Sequence, residues 1–171
     1  MSRRDNARYV IPTEDEWYKA AYYKGGSRNA GYWDYPTQSN TRPGQDMTDA
    51  SGNNANYWPA PYMGPIDSGR WITVAGEFQN SPSPYGTFDQ GGNVWEWNEA
   101  TFFGSYRLAR GGCFAPYDDL PASDRQSGGP PTFEDGAIGF RIAYVPEPGS
   151  IALFALGGLA VLRRRTLTRP G

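Results

Sequence analysis

The sequence predicts an irregular, loop-rich α+β domain with an aromatic core, followed by a short apolar tail. Three observations predict it. Aromatic residues make up 15% of the chain and lie among 22 glycines and 15 prolines. Such rings bury large areas each, so a few of them can support a core that aliphatic runs provide elsewhere. Only one segment carries a full set of helix signals, and the strand candidates are short and separated by long polar loops.

The helix is expected over Pro12-Thr13-Glu14-Asp15-Glu16-Trp17-Tyr18-Lys19-Ala20-Ala21-Tyr22-Tyr23. Thr13 is a good N-cap, and Glu16 three residues on completes a capping box. Acidic residues in the first turn suit the macrodipole. Trp17, Ala20 and Ala21 share one face, and Lys24-Gly25-Gly26 is the expected stop. Residues 25–70 read as long ordered loops, because a linker would not carry Tyr32, Trp33, Tyr35, Tyr57 and Trp58. Trp71–Val74, Tyr106–Arg110 and Ile138–Ala143 are the strand candidates, with Phe140 and Ile142 on one apolar face.

The 171 residues suffice for one ordinary domain and a tail. A net charge of -2 gives no footprint for nucleic acid. There is no histidine and one cysteine, Cys113. A Ser-His-Asp triad, a histidine-ligated metal and an intrachain disulfide are therefore all excluded for this sequence. Arg125 and Arg141, with Asp118, Asp119, Asp124, Glu134 and Asp135, read as a solvated face and a structural ion pair worth little, with the lining of a polar cleft as the other reading.

The tail begins at Val145-Pro146-Glu147-Pro148-Gly149, where the prolines break regular structure. Residues 151–162 are apolar and uncharged, and Arg163-Arg164-Arg165 follows. A helix over that run would rise about 18 Å, short of the roughly 30 Å hydrocarbon core. It is a marginal membrane span whose arginines would stay cytoplasmic. The order Pro146-Glu147-Pro148, apolar run, basic cluster resembles the PEP-CTERM sorting signal of exported bacterial proteins. The resemblance covers about residues 145–169. It implies an exosortase-type membrane protease as partner and a location at the cell surface or anchored in the membrane. The N-terminus has no signal-peptide pattern, so Met1 is expected not to be the true start.

Ile11–Trp17, Gly92-Asn93-Val94-Trp95-Glu96-Trp97, and Arg110-Gly111-Gly112 with Gly139-Phe140-Arg141 together resemble the formylglycine-generating enzyme, or sulfatase-modifying factor, domain. The resemblance covers about residues 9–144. It implies a variant of the C-type-lectin-like fold whose N-terminal part lies upstream of this sequence. It also implies a structural calcium, with side-chain oxygens from Asp89 and Glu96 and carbonyls from Gly92 and Val94. Calcium takes six to eight oxygens, which a tight Gly-rich loop with flanking carboxylates can supply. A second calcium would fall near Asn56, Tyr57 and Asp67.

The family's oxidases use Cu(I) between two thiolates, a soft pair that selects this ion. By ungapped counting those cysteines fall at Pro116 and Pro121, while Cys113 stands at the family's Ser position. One thiol cannot make a bis-thiolate site, so copper is not expected. Cys113 is expected to be a small buried hydrophobe, with a redox thiol as the other reading. The expected function is an exported, calcium-stabilised, non-catalytic binding or structural module. The alternative is an oxidoreductase acting on a sulfatase cysteine through a divergent site.

Overall fold

The computed structural model describes residues 3–27, 30–58, 66, 71–115, 121, 124 and 126–146. It divides into two units, residues 1–10 with 142–171, and residues 11–141. In the first, β1 (Tyr9–Val10) pairs antiparallel with β6 (Ala143–Tyr144). The Val145 N–H donates to the Arg8 carbonyl at 2.8 Å, and the Tyr9 and Tyr144 rings meet at 5.6 Å. Pro146 ends the described part of this unit, and Glu147, Pro148, the 151–162 run and Arg163–Arg165 lie outside it. Among the described residues no helix is long and apolar enough to cross a membrane.

The second unit holds helix α1 (Glu14–Tyr22) and a four-stranded sheet in the order β4-β3-β2-β5. The capping box is present: Thr13 Oγ1 accepts from the Glu16 N–H, and Glu16 returns a bond from the Thr13 N–H at 2.9 Å. The helix buries Trp17, Ala21 and Tyr22. It stops before Lys24-Gly25-Gly26, because Tyr23 already turns extended and bridges to Tyr32.

Strands β2 (Trp95–Phe102) and β3 (Tyr106–Arg110) form an antiparallel hairpin with a register shift between Trp97 and Thr101. Its turn takes positive φ at Phe103 and Gly104. β4 (Gln126–Gly129) pairs antiparallel with β3, and β5 (Ile138–Phe140) runs parallel to β2. Parallel neighbours need a long crossover, and residues 103–137 supply it.

Two strand expectations are corrected. Trp71–Val74 is not a strand: asparagine side chains satisfy the Trp71 carbonyl and both backbone groups of Thr73, and Glu77 those of Val74. The Ile138–Ala143 segment is split at Arg141 and Ile142. Phe140 and Ile142 are both exposed, at 63% each, and do not form a core face.

Small aromatic clusters make the core. One is Trp17, Ala21 and Tyr22; a second is Ala55 and Tyr57 under Tyr35; a third joins Trp95, Ala109 and Cys113 with Trp97 and Ile138 at its edge. The loops between residues 30 and 58 are ordered by their own polar side chains. Asp46 accepts from Thr48, Asp49 accepts from Ser51, and Tyr57 donates its hydroxyl to the Pro43 carbonyl. Both carboxyls lie below their ordinary range, held there chiefly by these hydrogen bonds.

Candidate functional site

The Gly92–Trp97 motif is the junction of the larger unit. Gly92 has a φ of +81°, and a Cβ there would sit 2.1 Å from the Asn56 carbonyl oxygen. Only glycine admits that approach, which lets the next residue, Asn93, donate its N–H to the same carbonyl at 2.6 Å. Asn93 is left-handed as well, with φ +64°. Asparagine tolerates this region better than most residues.

The Asn93 side chain then imitates a strand edge. Its Oδ1 accepts from the Thr73 N–H at 3.0 Å, and its Nδ2 donates to the Thr73 carbonyl at 3.1 Å. Asn56 Nδ2 donates to the Trp71 carbonyl and to Asn93 Oδ1. The Asn93 carbonyl accepts the Phe114 N–H at 3.2 Å. Two residues on, the Trp95 N–H donates to the Ala137 carbonyl at 2.7 Å. Three chain segments, 71–73, 114 and 135–137, are thus fastened to one stretch of four residues, 92–95.

Those segments wall an open cleft of about 480 Å³, lined by Trp71, Ile72, Phe114, Asp135, Gly136 and Ala137. Trp71 is 47% exposed. Its ring stacks on Trp58 at 5.5 Å and 17° and meets Phe114 at 6.0 Å and 50°. Asp135 stands at the rim, where its Oδ1 accepts the Ala137 N–H at 2.8 Å. From sequence, Asp135 falls on a solvated face or in a polar cleft, and Trp71 in a strand; the structure puts both at this cleft. The clue to the cleft was the pair of amides Asn56 and Asn93, which no periodicity argument weighs.

A largely buried ion pair joins β2 to the residue that follows β5. Arg141 donates from Nε to Glu96 Oε2 and from Nη2 to Oε1, the latter at 2.5 Å. Trp17 Nε1 donates to the same Oε2 at 2.6 Å. Arg141 is thus in a structural ion pair rather than on a solvated face, and its partner is the buried Glu96 rather than one of the nearby acidic residues. Arg110 makes a similar bridge to Glu14 at 2.6 Å, tying β3 to the start of the helix.

The residues expected around calcium are placed as follows. Asp89 has φ +54° and accepts the Gly76 N–H. Burial pushes its carboxyl above the usual range, against the Gly76 bond and nearby Arg141. The Gly92 carbonyl accepts the Val94 N–H at 2.9 Å. Glu96 is committed to Arg141 and Trp17. Asp89 thus suits a cation, whereas Glu96 could serve one only by exchanging Arg141 for it. Among the described residues no group of three or more acidic, His or Cys side chains gathers as a metal cluster.

Of the second expected set, Asn56 donates its Nδ2 to the Trp71 carbonyl and to Asn93 Oδ1, and Tyr57 is a core residue that donates its hydroxyl to the Pro43 carbonyl. Asp67 lies outside the described residues, as do Pro116, Asp118, Asp119 and Arg125. Cys113 is 1% exposed, packed with Trp95 and Ala109, and its sulfur accepts the Ala115 N–H.

Comparison with known proteins accords with this arrangement. A search among curated proteins returns no match. Among solved structures, Treponema denticola variable protein 1 is similar at 25% identity and a TM-score of 0.50. The likeness covers 81% of this chain and 48% of that one, so the chain spans about half the length of that protein. The PEP-CTERM protein-sorting motif matches residues 145–165. It marks the chain for export and cell-surface sorting, with exosortase processing at the C-terminus. The model of the sulfatase-modifying factor enzyme 1-like domain matches residues 1–145, and the chain belongs to that family.

Proposed function

We propose that this chain is a surface-displayed, non-catalytic binding module built on a sulfatase-modifying-factor scaffold. One observation carries the reading: the 171 residues hold a single cysteine, and it is buried in the core. A Cu(I) centre of the bis-thiolate kind needs two sulfurs that a substrate can reach. Proline stands at both positions, 116 and 121, where the family resemblance would put them. What the fold does offer is an aromatic cleft held rigidly by the Gly92–Trp97 motif. Such a scaffold binds through its loops whatever chemistry its relatives perform.

The test is turnover of a cysteine-containing sulfatase peptide with copper and dioxygen. No formylglycine above that made by a Cys113→Ala control is expected. Turnover above the control would favour the second reading, an oxidoreductase with a divergent site.

Calcium belongs to the proposal as a stabiliser at Asp89, Gly92, Val94 and Glu96. The support is the half-buried carboxyl of Asp89, whose charge a cation would offset. A ligand that binds only the native state raises its stability, so calcium should raise the melting temperature over chelator. An unmoved melt rejects calcium. The apolar run 151–162 adds membrane attachment before exosortase cleavage, testable by fractionating cells with and without the protease.

A further inference from the structure

The cleft has a composition that narrows its ligand. Carbon from Trp71, Ile72, Phe114 and Ala137 makes up nearly all of its wall. Among the described residues the one charged lining group is the Asp135 carboxylate, and the exposed Glu134 precedes it in the chain. No cationic side chain among them lines the cleft.

Four ligand classes can be compared on this wall. A neutral apolar molecule would cover part of Asp135 and leave its charge uncompensated. A saccharide carries many hydroxyls, each of which loses a water partner on entry, and the wall offers few replacements. A primary ammonium or guanidinium has three to five N–H donors with the same difficulty. A fully alkylated ammonium group has no donors to satisfy. It is also positively charged and wrapped in carbon, so it suits aromatic faces and a rim carboxylate together. We propose that the cleft between Trp71, Phe114 and the Asp135–Ala137 turn binds an alkylated ammonium group, the class to which choline belongs.

The proposal rests on the reading of the domain as a binding module and adds the ligand class to it. The free oxygen of Asp135 faces no competition from a neighbouring base in the wall, while its Oδ1 bond to Ala137 fixes the carboxylate at the rim. Trp71 is held at its backbone by Asn56, and its ring is backed by Trp58. An aromatic wall supported in this way is preorganised, which limits the ordering cost of binding.

The test is calorimetric titration of the full chain with choline and with 3,3-dimethylbutan-1-ol, its uncharged analogue of the same shape. Choline is expected to bind about tenfold more tightly than the alcohol, the size of a desolvated cation–π contribution. Trp71→Ala should reduce choline binding by about tenfold and Trp71→Phe by less, because a phenyl ring is the weaker π donor. Asp135→Asn keeps the acceptor for the Ala137 N–H and removes only the charge. It should weaken choline by about threefold at low salt, as an exposed ion pair does, and leave the alcohol unchanged. Equal affinity for choline and the alcohol would overturn the proposal. So would saturable binding of a neutral disaccharide displaced by Trp71→Ala with no heat from choline; that outcome would leave the binding-module reading standing. Turnover of the sulfatase peptide sinks the module reading alone, since it does not depend on what choline does.

Discussion

Removal of Arg141 isolates its ion pair with Glu96. In Arg141→Ala the Glu96 carboxylate keeps the Trp17 indole N–H and loses both guanidinium donors. Taking one partner from a buried pair costs about 3–5 kcal/mol, because the other charge stays desolvated. Arg141 is 22% exposed and Glu96 8%, so water reaches the site in part and the lower end, about 3 kcal/mol, applies. For a domain of this size that is a fall in melting temperature of roughly 10 °C. The assay is urea unfolding in chelator, followed by tryptophan fluorescence and checked by calorimetry. The double variant Glu96→Gln with Arg141→Met should recover much of the loss, since it leaves no uncompensated charge. A loss below about 1 kcal/mol, the worth of a surface pair, would refute the claim that Arg141 and Glu96 form a buried pair.

Two further outcomes follow from the backbone and the loop carboxyl. Gly92→Ala should cost more than about 3 kcal/mol, since it adds a backbone clash to left-handed strain. Gly76→Ala, with a similar φ but open space around it, should cost only about 1–2 kcal/mol; equal losses in urea titrations would show that the Asn56 contact yields. Asp89 has a raised folded pKa, so its contribution is most favourable below the ordinary carboxyl range and is lost as pH rises through the folded value. In chelator, Asp89→Asn should therefore melt higher than the parent at neutral pH, with the gap closing in acid. A gap that widens in acid would contradict this.

Much of the fold was legible because local chemistry specified it. Thr13 and Glu16 can be read as a capping box from spacing alone, and the hairpin strand Tyr106–Arg110 from its end at Gly111-Gly112. The loops were legible as ordered because aromatic side chains need a place to be buried. The Trp71–Val74 segment misled because its composition suits a strand, while its partners are asparagine amides distant in sequence. An ion pair at Arg141 was legible but its partner was not, for the same reason: Glu96 is 45 positions away. Sequence near Glu96 also suggested a metal ligand, and nothing local distinguishes a carboxylate awaiting a cation from one awaiting a guanidinium. Cys113 was legible as a core residue, since the single thiol of a sequence packs like a small hydrophobe.

The fastening of three cleft walls to residues 92–95 separates display from stability. The side chains that face the cleft, Trp71, Ile72 and Asp135, are exposed, and the groups that hold their backbones belong to Asn56, Asn93 and Trp95. Substitutions at the wall therefore fall where changes usually alter stability by less than about half a kcal/mol. The recognition chemistry of this surface can drift, or be deliberately diversified, without renegotiating the fold. A library randomised at those three positions on an unchanged Gly92–Trp97 frame would sample new ligands at nearly constant folding yield.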